Sequence, residues 1–264
     1  MQRIFRAIKQ KAIRWLEFSS FGFRLSLWIR YGSFCSHGYP EAHWHNAVLK
    51  SQGEVDRAIS QVRKLGLPLM EDFPKNWDSL AALDLILKCT DKDARIFDAG
   101  GELYSMILPW LFLYGYRNLS AGNLVFQRPM NRGPIVYYHL DITQTGIEPE
   151  TYDAITCLSV IEHRVDLRSY LCEMSRILKP GGILITSTDY FETQVDTRGQ
   201  IAYGEPIHIL TREEIAEALE IAAQFGFTPT GPLDLSTEEK VVYWKRYDIK
   251  YTFVVFSLRK TASV

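Results

Sequence analysis

The chain has 264 residues, with 30 Lys and Arg against 31 Asp and Glu and a formal net charge of −1, so it exerts no global pull toward nucleic acid. Apolar residues make up 47% of it, enough for one large α/β domain with an extension, yet no run approaches the ~18 apolar residues of a membrane span. The four cysteines (Cys35, Cys89, Cys157, Cys172) share no metal-type spacing and the N-terminus lacks a signal-peptide pattern, so reduced thiols in a cytoplasmic protein are expected.

The first thirty-odd residues carry Arg3, Arg6, Lys9, Lys11, Arg14, Arg24 and Arg30 against Glu17 alone, interleaved with Ile4, Phe5, Ile8, Trp15, Phe18, Phe21 and Phe23. Two readings stay open: a helix packing on the domain or on a second subunit of a homodimer, and peripheral contact of residues 1–31 with anionic lipid. Val55, Ala58, Ile59, Val62 and Leu65 predict a helix over 54–65, ended by Gly66 and Pro68. The turn-rich run Asp72–Asn76 separates a helical extension, 1–75, from the main domain, 76–264. Trp77–Lys88 is a second helix, with Asn76 or Asp78 as its cap.

Strands and helices then alternate. Arg95–Ala99 is a strand, followed by Gly100-Gly101 and a helix over 105–114 that either starts late or bends, because Pro109 lacks a donor. Strands follow over 119–124 and 135–140, the latter leading to Asp141. Ala154–Ile161 is a strand running into Glu162-His163. Leu167, Tyr170, Leu171, Met174, Ile177 and Leu178 mark an amphipathic helix, Lys179-Pro180-Gly181-Gly182 stops it, and Ile183 opens the next strand. Thr211-Arg212-Glu213-Glu214 reads as a capping box for a helix to Phe225, and strands over 227–235 and 251–258 close the series. The order predicts a doubly wound, seven-stranded, mostly parallel sheet with one antiparallel strand near the C-terminus. Ligands of such sheets bind beyond the carboxyl ends of the strands, where Asp98–Glu102, Asn123, Asp141, Ser159–His163 and Thr186–Tyr190 all fall.

Asp153–Gly182 resembles the strand-four to strand-five unit of the class I S-adenosylmethionine (SAM) methyltransferases, and a weaker resemblance extends over about 90–260. It implies a SAM site. Asp98-Ala99-Gly100-Gly101-Glu102-Leu103-Tyr104 stands where the family carries an acid and three alternate glycines; Asp98 and Gly100 match, while Glu102 and Tyr104 replace the later glycines. Asn123, with Leu124 beside it, stands in place of the acid that holds the ribose. Asp141 resembles the residue that binds the adenine amino group, with Ile142 against the ring, although an Asx turn is its plainer reading. Ser159 and Val160 would lie along the cofactor. For an oxygen acceptor, His163 and then His208 are the candidate bases, with histidines satisfied by backbone or capping contacts as the plainer reading of each. Asp189 and Tyr190 are candidate acceptor ligands, Tyr203 a stacking residue, and Glu162 orients His163 or pairs with Arg164. No metal is expected. The implied activity is methyl transfer to a small-molecule or glycan-type acceptor, most simply at oxygen. The three departures from the motif keep open a non-catalytic binding or scaffolding role on the same fold. A nucleotide-linked oxidoreductase would need Gly-x-Gly-x-x-Gly and Tyr-x-x-x-Lys, which the chain lacks.

Overall fold

The computed structural model describes residues 17–202 and 204–261; the basic run up to residue 16 and Tyr203 lie outside them. In chain order the elements are α1 (Ser20–Tyr31), β1 (Ala47–Val48), α2 (Gln52–Lys64), α3 (Lys75–Cys89), β2 (Arg95–Ala99), α4 (Ile107–Leu113), β3 (Asn118–Gly122), β4 (Met130–Arg132) and β5 (Ile135–Tyr138). They continue with β6 (Tyr152–Leu158), α5 (Leu167–Ile177), β7 (Leu178–Tyr190), β8 (Ile201–Ala202), β9 (Glu205–Pro206), α6 (Arg212–Gln224), β10 (Phe227–Pro229), β11 (Val242–Trp244) and β12 (Ile249–Lys260).

Hydrophobic alternation of strands and helices gives the sheet its form. The order β5-β3-β2-β6-β7 is parallel throughout, and β12 joins β7 antiparallel with Phe253 opposite Asp189. The sheet is mostly parallel as the pattern implies, but among the described residues it has ten strands. The short β1, β10 and β11 all pair antiparallel with β12, and β4 pairs with β5. Two- and three-residue strands carry no periodicity to read, which is why the count expected from sequence was lower. The extended reading of 227–235 shrinks to Phe227–Pro229.

Local chemistry sets the boundaries. α4 starts late, at Ile107, so Pro109 falls in its first turn, where no donor is needed. The capping box forms: Thr211 Oγ1 accepts from Glu214 N–H at 3.3 Å and Glu214 Oε2 from Thr211 N–H at 2.8 Å. The expected cap of α3 does not. Pro74 takes that place without a side-chain bond; Asn76 instead clamps Met70, and Asp78 bonds Ser79 and Ser187. The Lys179–Gly182 segment is absorbed into β7 as a bulge, because the register runs from Tyr152 opposite Leu178 to Ala154 opposite Ile183. Gly181, at φ +78°, makes that bulge possible. α3 is buried along nearly its whole length and packs on β6, β7 and β12, which brings its N-terminus to the carboxyl edge of the sheet.

Candidate functional site

The ends of β2, β3, β5, β6 and β7 open into one cleft of about 1060 Å³, lined at those ends by Gly100, Asn123, Asp141, Ser159 and Asp189. Five strand ends meeting in one cavity is the outcome expected of a parallel sheet.

Gly100 turns the chain at φ +81°, and a Cβ there would sit 2.5 Å from Val160 Cγ2. The loop is therefore bare backbone facing the cleft, held by Gly100 N–H donating to Gly122 C=O at 2.8 Å. Asp98 and Gly101 lie beneath this loop and do not line the cleft. A Cβ on Gly101 would fall 2.1 Å from Asp98 Oδ2, and Asp98 Oδ1 accepts from Thr156 Oγ1–H at 2.7 Å. Burial pushes the Asp98 carboxyl up to about 7, so this acid underpins the turn.

Asn123 is committed to the protein. Its Nδ2 donates to Gly100 C=O at 2.6 Å, and its Oδ1 accepts from Val125 N–H at 3.0 Å. Asp141 does form the Asx turn, its Oδ1 accepting from Thr143 N–H at 2.8 Å, and it still lines the cleft beside Ile142 and Leu124. Ser159 has a left-handed φ of 55°, and its hydroxyl is buried without a partner among the described residues. A strained non-glycine residue with an orphaned hydroxyl at a cavity wall is the kind of local cost found at ligand sites. The Tyr104 ring, 62% exposed, stands at the rim and leaves the cavity open. Glu102 lines the cleft, its pKa raised by burial. Bare backbone at Gly100, Val160 against it, an orphaned Ser159 hydroxyl and a carboxylate at Asp141 fit an adenosyl cofactor.

His163 lines the cleft, and burial together with the Lys75 charge holds its pKa below the usual value. His208 lies elsewhere: its Nε2 meets Glu214 Oε1 at 2.9 Å, on the first turn of α6. Tyr190 is fully buried, its hydroxyl donating to Leu235 C=O at 2.7 Å, so its ring packs and does not reach the cleft. Glu162 is not tied to Arg164; its Oε2 accepts from Thr188 Oγ1–H at 3.0 Å.

Beyond the glycine loop the cleft is walled by residues that sequence reasoning passed over: Lys75 from the start of α3, Asp72 before it, Tyr251 from β12, and Tyr243 and Trp244 from β11. Burial raises the Glu162 and Asp189 carboxyls and brings Asp78, just behind them, to about 6. Burial also opposes the charge on Lys75, but the carboxylates of Asp189, Glu162, Asp78 and Asp72 outweigh it and hold its pKa above the usual value. One sequence signal pointed there. A lysine opening a helix opposes the helix dipole, which favours anions at that end.

Comparison with known proteins agrees with this geometry. Residues 117–186 match the family model described as "Methyltransferase domain". A sterol 24-C-methyltransferase of Clavispora lusitaniae is 27% identical over 116 residues, 41% of this chain and 30% of that protein. A ubiquinone biosynthesis O-methyltransferase of Vibrio atlanticus is 38% identical over 55 residues, 19% of this chain and 23% of that protein. The matches thus span under a third of these relatives' length. The 1,6-didemethyltoxoflavin-N1-methyltransferase of Burkholderia thailandensis, solved with 1,6-didemethyltoxoflavin and S-adenosylhomocysteine, superposes with a TM-score of 0.52 at 18% identity, covering 81% of this chain and 92% of that one. The chain therefore has the fold of the class I SAM-dependent methyltransferases.

Proposed function

We propose that this methyltransferase-fold chain transfers a methyl group from SAM to an oxygen of a small-molecule or glycan-type acceptor. The observation that carries the reading is the convergence of five strand ends on one open cleft, with the bare Gly100 turn at its centre. When bound, SAM supplies an electrophilic methyl on a sulfonium. In this reading Gly100 lets backbone approach the methionine portion, with Glu102 facing its ammonium. Asn123 and Leu124 border the ribose, Asp141 and Ile142 hold the adenine, and Ser159 and Val160 line the cofactor's length.

The remaining task is alignment and exclusion of water. His163, its pKa held below the usual value by burial and by the Lys75 charge, takes the proton of the acceptor hydroxyl as its oxygen attacks. The open cavity beside Tyr104 supports this reading over a scaffolding role, which would be favoured by a cleft filled with side chains. Isothermal titration with S-adenosylhomocysteine tests it. Micromolar, one-to-one binding is expected; no heat at millimolar ligand would sink the proposal.

A peripheral membrane contact has one specific observation behind it. α1 buries Gly22, Phe23, Ser26 and Leu27 yet leaves Phe21 70%, Trp28 54% and Ile29 41% exposed. Beyond its N-terminal end lie five Lys and Arg and no acid in residues 1–16. Co-sedimentation with phosphatidylglycerol-containing vesicles, lost in a Phe21→Ser/Trp28→Ser variant, is the expected result. Equal sedimentation of the two proteins would remove the idea.

A further inference from the structure

The cleft also holds a group of ionisable side chains that the fold itself does not call for. Lys75 begins α3, where the helix dipole disfavours a cation, and it is set deep in the cleft, where desolvation disfavours one too. Its ammonium offers three donors and no acceptor. Its Nζ lies over the Phe253 ring face, 5.7 Å from the centroid. None of the ion pairs among the described residues includes it.

The carboxylates that surround it come from four places. Asp72 precedes α3, Asp78 lies one turn along it, Glu162 follows β6 and Asp189 is the last residue but one of β7. Tyr251 of β12 directs its hydroxyl at Asp189. Lys75, Asp72, Glu162, Asp189 and Tyr251 all line the cleft, with Tyr243 and Trp244 on the same wall. A donor with unused capacity thus faces acceptors with unused capacity across a cavity, beside aromatic side chains.

Charge decides what fits. An anionic acceptor would gain Lys75 but meet the carboxyl oxygens of Asp72, Glu162 and Asp189, which offer it no positive partner. A cationic acceptor would gain the carboxylates but stand against the Lys75 ammonium. A neutral hydroxyl satisfies both, since it accepts from an ammonium and donates to a carboxylate. Two adjacent hydroxyls on one ring would engage both kinds of group at once while the ring lies against an aromatic wall.

We propose that Lys75, Glu162, Asp189 and Tyr251 form an acceptor subsite that takes a neutral ring bearing adjacent hydroxyl groups. The subsite rests on the SAM-dependent reading above, because it places the acceptor next to the cofactor end of the same cleft. These four residues position the acceptor. The ring is aromatic, as in a catechol, or saturated, as in a sugar, and the hydroxyl chemistry is common to both.

The test titrates four probes into the full chain saturated with S-adenosylhomocysteine: catechol, methyl β-D-glucopyranoside, benzoate and benzylamine. One of the two diols is expected to bind, and which one names the source of the ring. Benzoate and benzylamine are expected to bind at least roughly tenfold more weakly than that diol. Lys75→Met and Asp189→Asn should each weaken diol binding roughly tenfold, a loss typical of hydrogen bonds to charged groups, with S-adenosylhomocysteine affinity unchanged. Tyr251→Phe removes only one hydroxyl, keeps the ring packed, and should give a loss of several-fold. Retained S-adenosylhomocysteine affinity shows that each variant is folded. The proposal is overturned if benzylamine or benzoate binds better than both diols, if neither diol binds, or if diol affinity is the same in all three variants. Failure of the cofactor to bind the unaltered protein would count against the underlying reading instead, and the first titration separates the two.

Discussion

The wall around Gly100, Asn123 and Asp141 is made by backbone leaving adjacent parallel strands, whereas the wall around Lys75, Asp189 and Tyr251 is made by side chains from α3, β7 and β12, far apart in sequence. In the first wall the working parts are a left-handed turn, a missing Cβ and an Asx turn. In the second they are ionisable side chains set where burial disfavours charge, with Lys75 alone favoured in its charged form by its neighbours. Backbone shape tolerates little change and is recognised by any ligand with the right core. Side-chain charge is easily altered and selects among ligands. The two walls should therefore fail differently when substituted.

The largest effect is expected at the turn. Gly100→Val should abolish S-adenosylhomocysteine binding in a calorimetric titration. Its side chain would start from a Cβ 2.5 Å from Val160 Cγ2, on a residue at φ +81° where a β-branched residue is strained. Measurable binding at near wild-type affinity would mean that the loop is not a cofactor platform. His163→Ala comes next and tests the opposite behaviour. Cofactor affinity should change by less than about threefold, while turnover falls roughly 10²–10⁴-fold, the usual worth of a positioned base. Unchanged turnover with an oxygen acceptor would move the base to the carboxylates facing Lys75.

The contrast also explains what could be read in advance. Most of β6, α5 and the Ile183–Tyr190 part of β7 announce themselves through apolar runs and a three-to-four spacing, all local signals, whereas Leu178–Gly182 reads as a helix end and a turn and is instead the bulged start of β7. The five strand ends follow from topology once the alternation is recognised. Thr211 and Glu214 were legible because a capping box is complete within four residues. Lys75 and Tyr251 were not, since their meaning depends on α3 and β12 being brought to one edge by packing. Tyr190 misled for a related reason. Asp189 and Tyr190 are neighbours, but successive strand residues point to opposite faces, so only Asp189 reaches the cleft. His208 looked like a loop base and instead pairs with Glu214.

Asn123→Asp sharpens the comparison with a smaller change. The family pattern implies an acid there, and a carboxylate would suit a ribose diol. Here, however, Asn123 Nδ2 donates to Gly100 C=O at 2.6 Å, and a carboxylate would face that carbonyl without a proton. The replacement should weaken S-adenosylhomocysteine binding roughly tenfold, the scale of one lost and unreplaced hydrogen bond. Tighter binding would show that the ribose contact outweighs the loop contact.

The smallest effect is on stability and concerns the acid beneath the turn. Asp98 is buried and its carboxyl is raised to about 7, by burial first, with Thr156 opposing and the Asp78 carboxylate adding to it. In the unfolded chain it titrates near 4. Between those values the folded state binds the proton that the unfolded state has released, so its contribution to stability is complete below about pH 4 and is lost as pH rises towards 7. Asp98→Asn keeps an oxygen for Thr156 Oγ1 and removes the titration. The melting temperature of the variant relative to wild type should therefore rise by roughly 3–5 °C between pH 5 and pH 8. Scanning calorimetry at the two pH values reads this directly. The difference between variant and wild type cancels the titration of His163, Glu162, Asp189 and the other groups the two proteins share. An equal gap at both pH values would mean that Asp98 is already ionised under the loop, and the turn would then be held by a charge as the opposite wall is.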